Sequence, residues 1–103
     1  MKKRRESKEM SEEDYEAAEA KLDAARDRAD NAQRRIYDTD HLKWEAEQEW
    51  LKAQNSGDRE ESERAWEAYQ KAEKNWQEAL DDKAEADREV EEAQRKLDEA
   101  QNA

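Results

Sequence analysis

Cysteine, proline and phenylalanine are missing from this 103-residue chain, and glycine occurs once, at Gly57. Without proline, no position in the chain lacks the amide a helix interior needs. Without cysteine there is no disulfide framework, thiolate nucleophile or cysteine zinc site; the absence is neutral on compartment. Large aliphatic side chains are scarce too, limited to Leu22, Ile36, Leu42, Leu51, Leu80, Val90 and Leu97. A layered globule would need far more of them to offset the roughly 1–2 kcal/mol per residue that backbone ordering costs. No apolar run approaches the roughly 18 residues of a membrane span. The basic start Met1–Arg5 lacks the apolar segment that follows the basic region of a signal peptide. With a single histidine and no Gly-rich phosphate loop, the chain lacks catalytic and cofactor machinery, and a non-enzymatic role is expected.

What is present is charge and alanine. Half the residues are charged, the net charge is −11, and 18 alanines make up most of the apolar count. Low hydropathy with high net charge suits a disordered chain, but a sustained helical repeat argues for a coiled coil. Residues 1–10 carry net +3 and read as a basic N-terminal extension, while the acidic remainder disfavours nucleic acid and anionic membranes.

The repeat is regular. Tyr15, Ala18, Leu22, Ala25, Ala29, Ala32 and Ile36 fall at alternating steps of three and four. So do Tyr69, Ala72, Trp76, Ala79, Lys83, Ala86, Val90, Ala93, Leu97 and Ala100. Such spacing keeps one stripe facing a partner helix. Turn chemistry interrupts it once, at Asn55, Ser56, Gly57 and Asp58. Gly57 can take the left-handed conformation that ends a helix. Asp58 is an N-cap candidate with Glu61 in capping-box position, and Ser11 with Asp14 gives a weaker start signal. The expected fold is all-α: a long antiparallel two-helix coiled-coil hairpin with an Ala-rich heptad seam. Its first helix covers 11–55, its turn 55–58 and its second helix 58–103.

A turn centred near Ser56 and Gly57 predicts a register that sets Tyr15 beside Leu97, Leu22 beside Val90 and Ile36 beside Trp76, with alanine layers between. Lys83 then lies across from Ala29 and Asp30, either snorkelling past small alanines or pinning the register. The pairs Glu60–Arg64, Glu67–Lys71, Glu91–Arg95 and Glu92–Lys96 should add about 0.2–0.5 kcal/mol each.

Six of the seven aromatics lie between residues 37 and 76. Trp76, Tyr69 and Trp50 read as seam residues. Tyr37, Trp44 and Leu51 recur every seven residues, one position off the seam, with His41 between them, and Trp66 is also off it. Two readings stay open: local core, reached through a seam shift near residues 37–40, or an exposed aromatic patch that marks a partner surface. Asp38, Asp40, His41 and Glu45 match no recognised ligand spacing, so no metal is expected.

The stretch Tyr15, Leu22, Asp23, Ala24, Ala25, Ala29, Asp30, Ala32 and Ile36 resembles the ascending helix of the central receptor-binding domain of nuclease colicins. Ala79, Leu80, Asp81, Lys83, Asp87, Val90, Ala93 and Leu97 look like its descending helix. Cloacins and klebicins share that organisation. The resemblance covers about residues 15–36 and 79–97, and the tip departs from the E-type pattern, being helical to Asn55 with several tryptophans. It implies a bacteriocin receptor-binding domain, secreted and acting at the target cell surface. Its tip would dock on an outer-membrane receptor of the TonB-dependent-transporter type, without inserting into the membrane. The candidate contact residues are Tyr37, His41, Trp44, Trp50, Leu51, Asn55, Ser56, Asp58 and Trp66. The chain would be a monomer or weak dimer and bind no nucleic acid. Both ends sit mid-pattern, as in a piece of a longer chain. Two other readings are a structural spacer or self-assembling hairpin, natural or designed, and an RNA-gripping arm, which the acidic surface disfavours.

Overall fold

A computed structural model describes residues 12–102. The basic stretch 1–10 and the capping residue expected at Ser11 lie outside the described residues. Two helices make up the fold: α1, Glu12–Ser56, and α2, Arg59–Asn102, joined by Gly57 and Asp58 into an all-α helical hairpin. Among the described residues there is no strand.

The turn follows from local chemistry. Gly57 has φ +77°, which a residue without Cβ adopts freely. Ser56 folds its hydroxyl back to donate to the Ala53 carbonyl at 2.7 Å, and the same oxygen accepts from the Asp58 amide at 3.2 Å. The Asp58 carboxylate then accepts from the Glu61 amide at 3.2 Å, capping α2. Only this half of the expected capping box forms, because the Asp58 amide is given to Ser56 rather than to Glu61.

The chain divides into two compact units. The terminal unit has residues 12–30 and 83–102 as its described part; the turn unit is residues 31–82. In the terminal unit the buried residues are Leu22, Ala25, Ala29, Ala86 and Leu97. Arg28 pairs with Glu89, Arg26 donates to Gln94 at 3.0 Å, and the Tyr15 hydroxyl accepts from Gln101 at 2.7 Å. Together with the heptad stripes these contacts fix the layers: Tyr15 with Ala100, Ala18 with Leu97, Leu22 with Ala93, Ala25 with Val90, and Ala29 with Ala86.

The register is therefore three residues further along α2 than the large-on-large pairing expected from the sequence, and that expectation is corrected. The reason is steric. If Leu faced Leu while Ala faced Ala in the next layer, the helix separation would have to swing from layer to layer. In four of these five layers a large side chain lies opposite an alanine, which keeps the spacing even and the packing dense; Ala29 with Ala86 is the exception. Lys83 accordingly does not lie across from Ala29. It runs along its own helix, with its ammonium 2.6 Å from both carboxylate oxygens of Asp87. Of the expected helical ion pairs, Glu92–Lys96 forms at 3.4 Å. Arg95 turns to Glu99 at 4.0 Å rather than to Glu91, and Arg59 to Glu63 at 3.3 Å.

In the turn unit the seam runs on without a shift through Ile36, Thr39, Lys43, Ala46, Trp50 and Ala53, each buried or half-buried. Two polar residues are accommodated. The Thr39 hydroxyl donates back to the Arg35 and Ile36 carbonyls at 2.6 and 3.2 Å, which leaves its methyl for the interface. Lys43 lays its stem along the seam and holds its ammonium 3.7 Å from the Trp76 ring centroid. Arg35 pairs with Asp82. The same large-opposite-small rule applies: Ile36 faces Ala79, which is fully buried. Trp76 belongs opposite Thr39, not Ile36.

A candidate protein-contact surface

Among the described residues, the large apolar side chains left exposed are Tyr37, Leu42, Trp44, Leu51 and Trp66, at 69, 55, 57, 41 and 41 % accessibility. All five belong to the turn unit. Helical periodicity explains the placement. Tyr37, Trp44 and Leu51 each follow a seam residue by one, about 100° round the helix, so the closer the seam residues pack the further these side chains stand out. Spaced about 10.5 Å apart along α1, they form a line of about 21 Å.

A second aromatic group packs inward. Trp50 and Trp66 have centroids 4.6 Å apart, Trp50 and Tyr69 5.9 Å, and Trp66 meets Tyr69 edge-on at 5.7 Å and 85°. Edge and tilted contacts suit the ring quadrupoles. Loss of water around the Tyr69 ring pushes its phenol above the ordinary value of 10; the carboxylates of Glu47 and Glu73 add repulsion, and a hydrogen bond to Glu73 favours the neutral form. His41 stacks on Trp44 at 6.5 Å and 18°, and its Nε2 lies 2.8 Å from Glu45.

The candidate residues thus separate by surroundings. Tyr37, His41, Trp44, Leu51 and Asn55 present exposed side chains on α1. Trp50 is half-buried against Trp66 and Tyr69, and Trp66 keeps one side exposed. Ser56 and Asp58 use their side chains to close the turn. Leu42 was not among the candidates. It stands beside a shallow groove of about 180 Å³ lined by Thr39, Ala68, Lys71, Ala72 and Asn75. Its signal was available: it precedes a lysine on a seam the polar residues had hidden.

A larger concavity, about 420 Å³, lies in the terminal unit between Lys21, Ala24, Ala25, Arg28 and Glu89, Glu92, Ala93, Lys96. It exists because alanine leaves the flanks unfilled; Arg28–Glu89 ties its two walls, and Lys96–Glu92 pairs along the α2 wall. No group of three or more potential metal ligands occurs among the described residues. None of their helices is long and apolar enough to cross a membrane. Compared with family models, with curated proteins and with solved structures, the chain has no match.

Proposed function

We propose that this chain is the receptor-binding hairpin of a bacteriocin of the nuclease-colicin type, and that its turn unit makes the contact with an outer-membrane receptor of the target cell. The observation that carries the contact reading is that, among the described residues, the exposed large apolar side chains all fall within residues 37–66, in a chain half of whose residues are charged. Exposed aromatics held on a helix supply contact area at small rotamer cost, and the hairpin presents them without a folding step on binding. The bacteriocin assignment is supported by the resemblance of residues 15–36 and 79–97 to that domain's two helices. The role is one of shape and contact, with no reaction and no cofactor.

The test is capture from outer-membrane extracts of Gram-negative bacteria with the immobilised chain. The wild type should retain a transporter that the combined variant Trp44→Ala and Trp66→Ala releases. Equal recovery by both proteins would remove the assignment of the surface. Recovery of no outer-membrane protein would remove the receptor reading.

A further inference from the structure

From Tyr37 onward the outward face of α1 in the turn unit is a second heptad seam, bounded on its N-terminal side by Arg34 at the same register. Tyr37, His41, Trp44, Gln48, Leu51 and Asn55 follow one another at steps of four, three, four, three and four, and none is Asp, Glu, Lys or Arg. The same outward positions in the terminal unit are Glu13, Glu16, Ala20, Asp23, Asp27 and Asp30, five carboxylates and an alanine. On α2 of the turn unit they are again largely charged, with Glu60, Glu63, Glu67, Lys74 and Asp81 among them. Six successive outward positions without a formal charge stand out in a chain half of whose residues are charged. A face that receives another helix calls for them, because a 3–4 stripe is what a packed helix reads. All six residues are exposed or half-buried, so the seam is open.

The borders of this seam state the charge of its occupant. Asp38, Asp40, Glu45 and Glu47 flank it, against Lys52 alone. We infer that the seam accepts a third helix whose flanking positions carry Lys or Arg, laid alongside Tyr37–Asn55 in coiled-coil fashion. A second copy of this chain is the wrong occupant. Antiparallel self-pairing about Trp44 would set Asp40 against the other copy's Glu47 twice and the two Glu45 side chains against each other, and would set Asp38 against Lys52 twice; three like-charge pairs against two opposite ones leave the net charge term opposed to association. The inference rests on the proposed contact role of this surface and names what the partner brings to it: a basic amphipathic helix.

The probe is a capped three-heptad peptide with Leu at its seam positions and Lys at its flanking positions, compared with an otherwise identical peptide carrying Glu there. Each is titrated into the whole chain and followed by tryptophan fluorescence and by amide shifts. The Lys peptide should bind at least about tenfold more tightly than the Glu peptide, with the difference shrinking in high salt. The shifts should fall on residues 37–55. The double variant Trp44→Gln and Leu51→Gln, which alters only outward positions and should keep wild-type helicity, should lose the binding. Equal binding of the two peptides, binding that survives the double variant, or no binding by either peptide overturns the inference. So does sedimentation of the chain alone as a dimer that Trp44→Gln dissolves. If the peptides fail while a receptor is still captured through Trp44 and Trp66, the third helix falls and the receptor reading stands. If the peptides behave as expected and no outer-membrane protein is captured, the receptor reading falls alone.

Discussion

The terminal and turn units are built on one heptad and differ in what fills and flanks it. In the terminal unit the seam is aliphatic and alanine apart from Tyr15 and Lys83, and the outward face of α1 is almost wholly acidic. In the turn unit aromatics enter the seam, and others stand outside it where charge is missing. The same repeat therefore holds two helices together and, in the proposed reading, also presents a face to a partner. Alanine teaches the first lesson, since burying a methyl contributes only about 0.8 kcal/mol, and the terminal unit gains by uniform close approach rather than by large side chains. The aromatics teach the second, because seam filling accounts for Trp50, Tyr69 and Trp76 but not for Tyr37 and Trp44.

The largest effect should come from the aromatic group. Trp50→Ala should cost about 3 kcal/mol, as truncation of a large packed aromatic does, and it should remove the near-ultraviolet dichroism of the turn unit. A loss below about 1 kcal/mol in denaturant unfolding would mean the Trp50, Trp66 and Tyr69 contacts add little. Next, Ala86→Leu should destabilise the terminal unit by about 1–3 kcal/mol through overpacking. Ala20→Leu, on the outward face, should change stability by less than about 0.5 kcal/mol. If both leucines were tolerated alike, the close approach argued for the terminal unit would be absent.

Much of this difference was legible in the residues. Gly57 and Asp58 announced the turn, and the 3–4 stripes announced the helices and the off-seam placement of Tyr37, Trp44 and Leu51. The register was not, because sequence reading matched large residues with each other, whereas a narrow pair needs each large residue opposite a small one. The continuity of the seam past Ile36 was hidden by Thr39 and Lys43, whose polar groups are satisfied in ways that only the folded backbone and the Trp76 ring reveal. Ion pairs between helices, such as Arg28–Glu89 and Arg35–Asp82, depend on that register and so could not be foreseen.

Smaller effects sharpen the comparison further. Asp58→Ala should cost about 1 kcal/mol by uncapping α2, read as earlier fraying of the first turn in amide exchange. Arg28→Ala should cost no more than about 0.5 kcal/mol, since both partners are substantially exposed, and salt should erase even that. The smallest signal belongs to Tyr69. Its phenol titrates above 10 in the folded state, so its contribution is fully present below pH 10 and is lost as pH rises through the folded value. Stability should decline above pH 10 less steeply in Tyr69→Phe than in the wild type, in thermal melts across that range. Identical slopes would mean that desolvation and the Glu47 and Glu73 carboxylates leave the phenol unshifted.

The proposed division into a holding unit and a contacting unit is tested most directly by amide hydrogen exchange of the chain with and without outer-membrane vesicles from the Gram-negative strain whose extract yields a captured receptor. Protection should appear within residues 37–66 and leave 12–30 and 83–102 unchanged. Protection centred on the terminal unit, or spread evenly along both helices, would contradict the account.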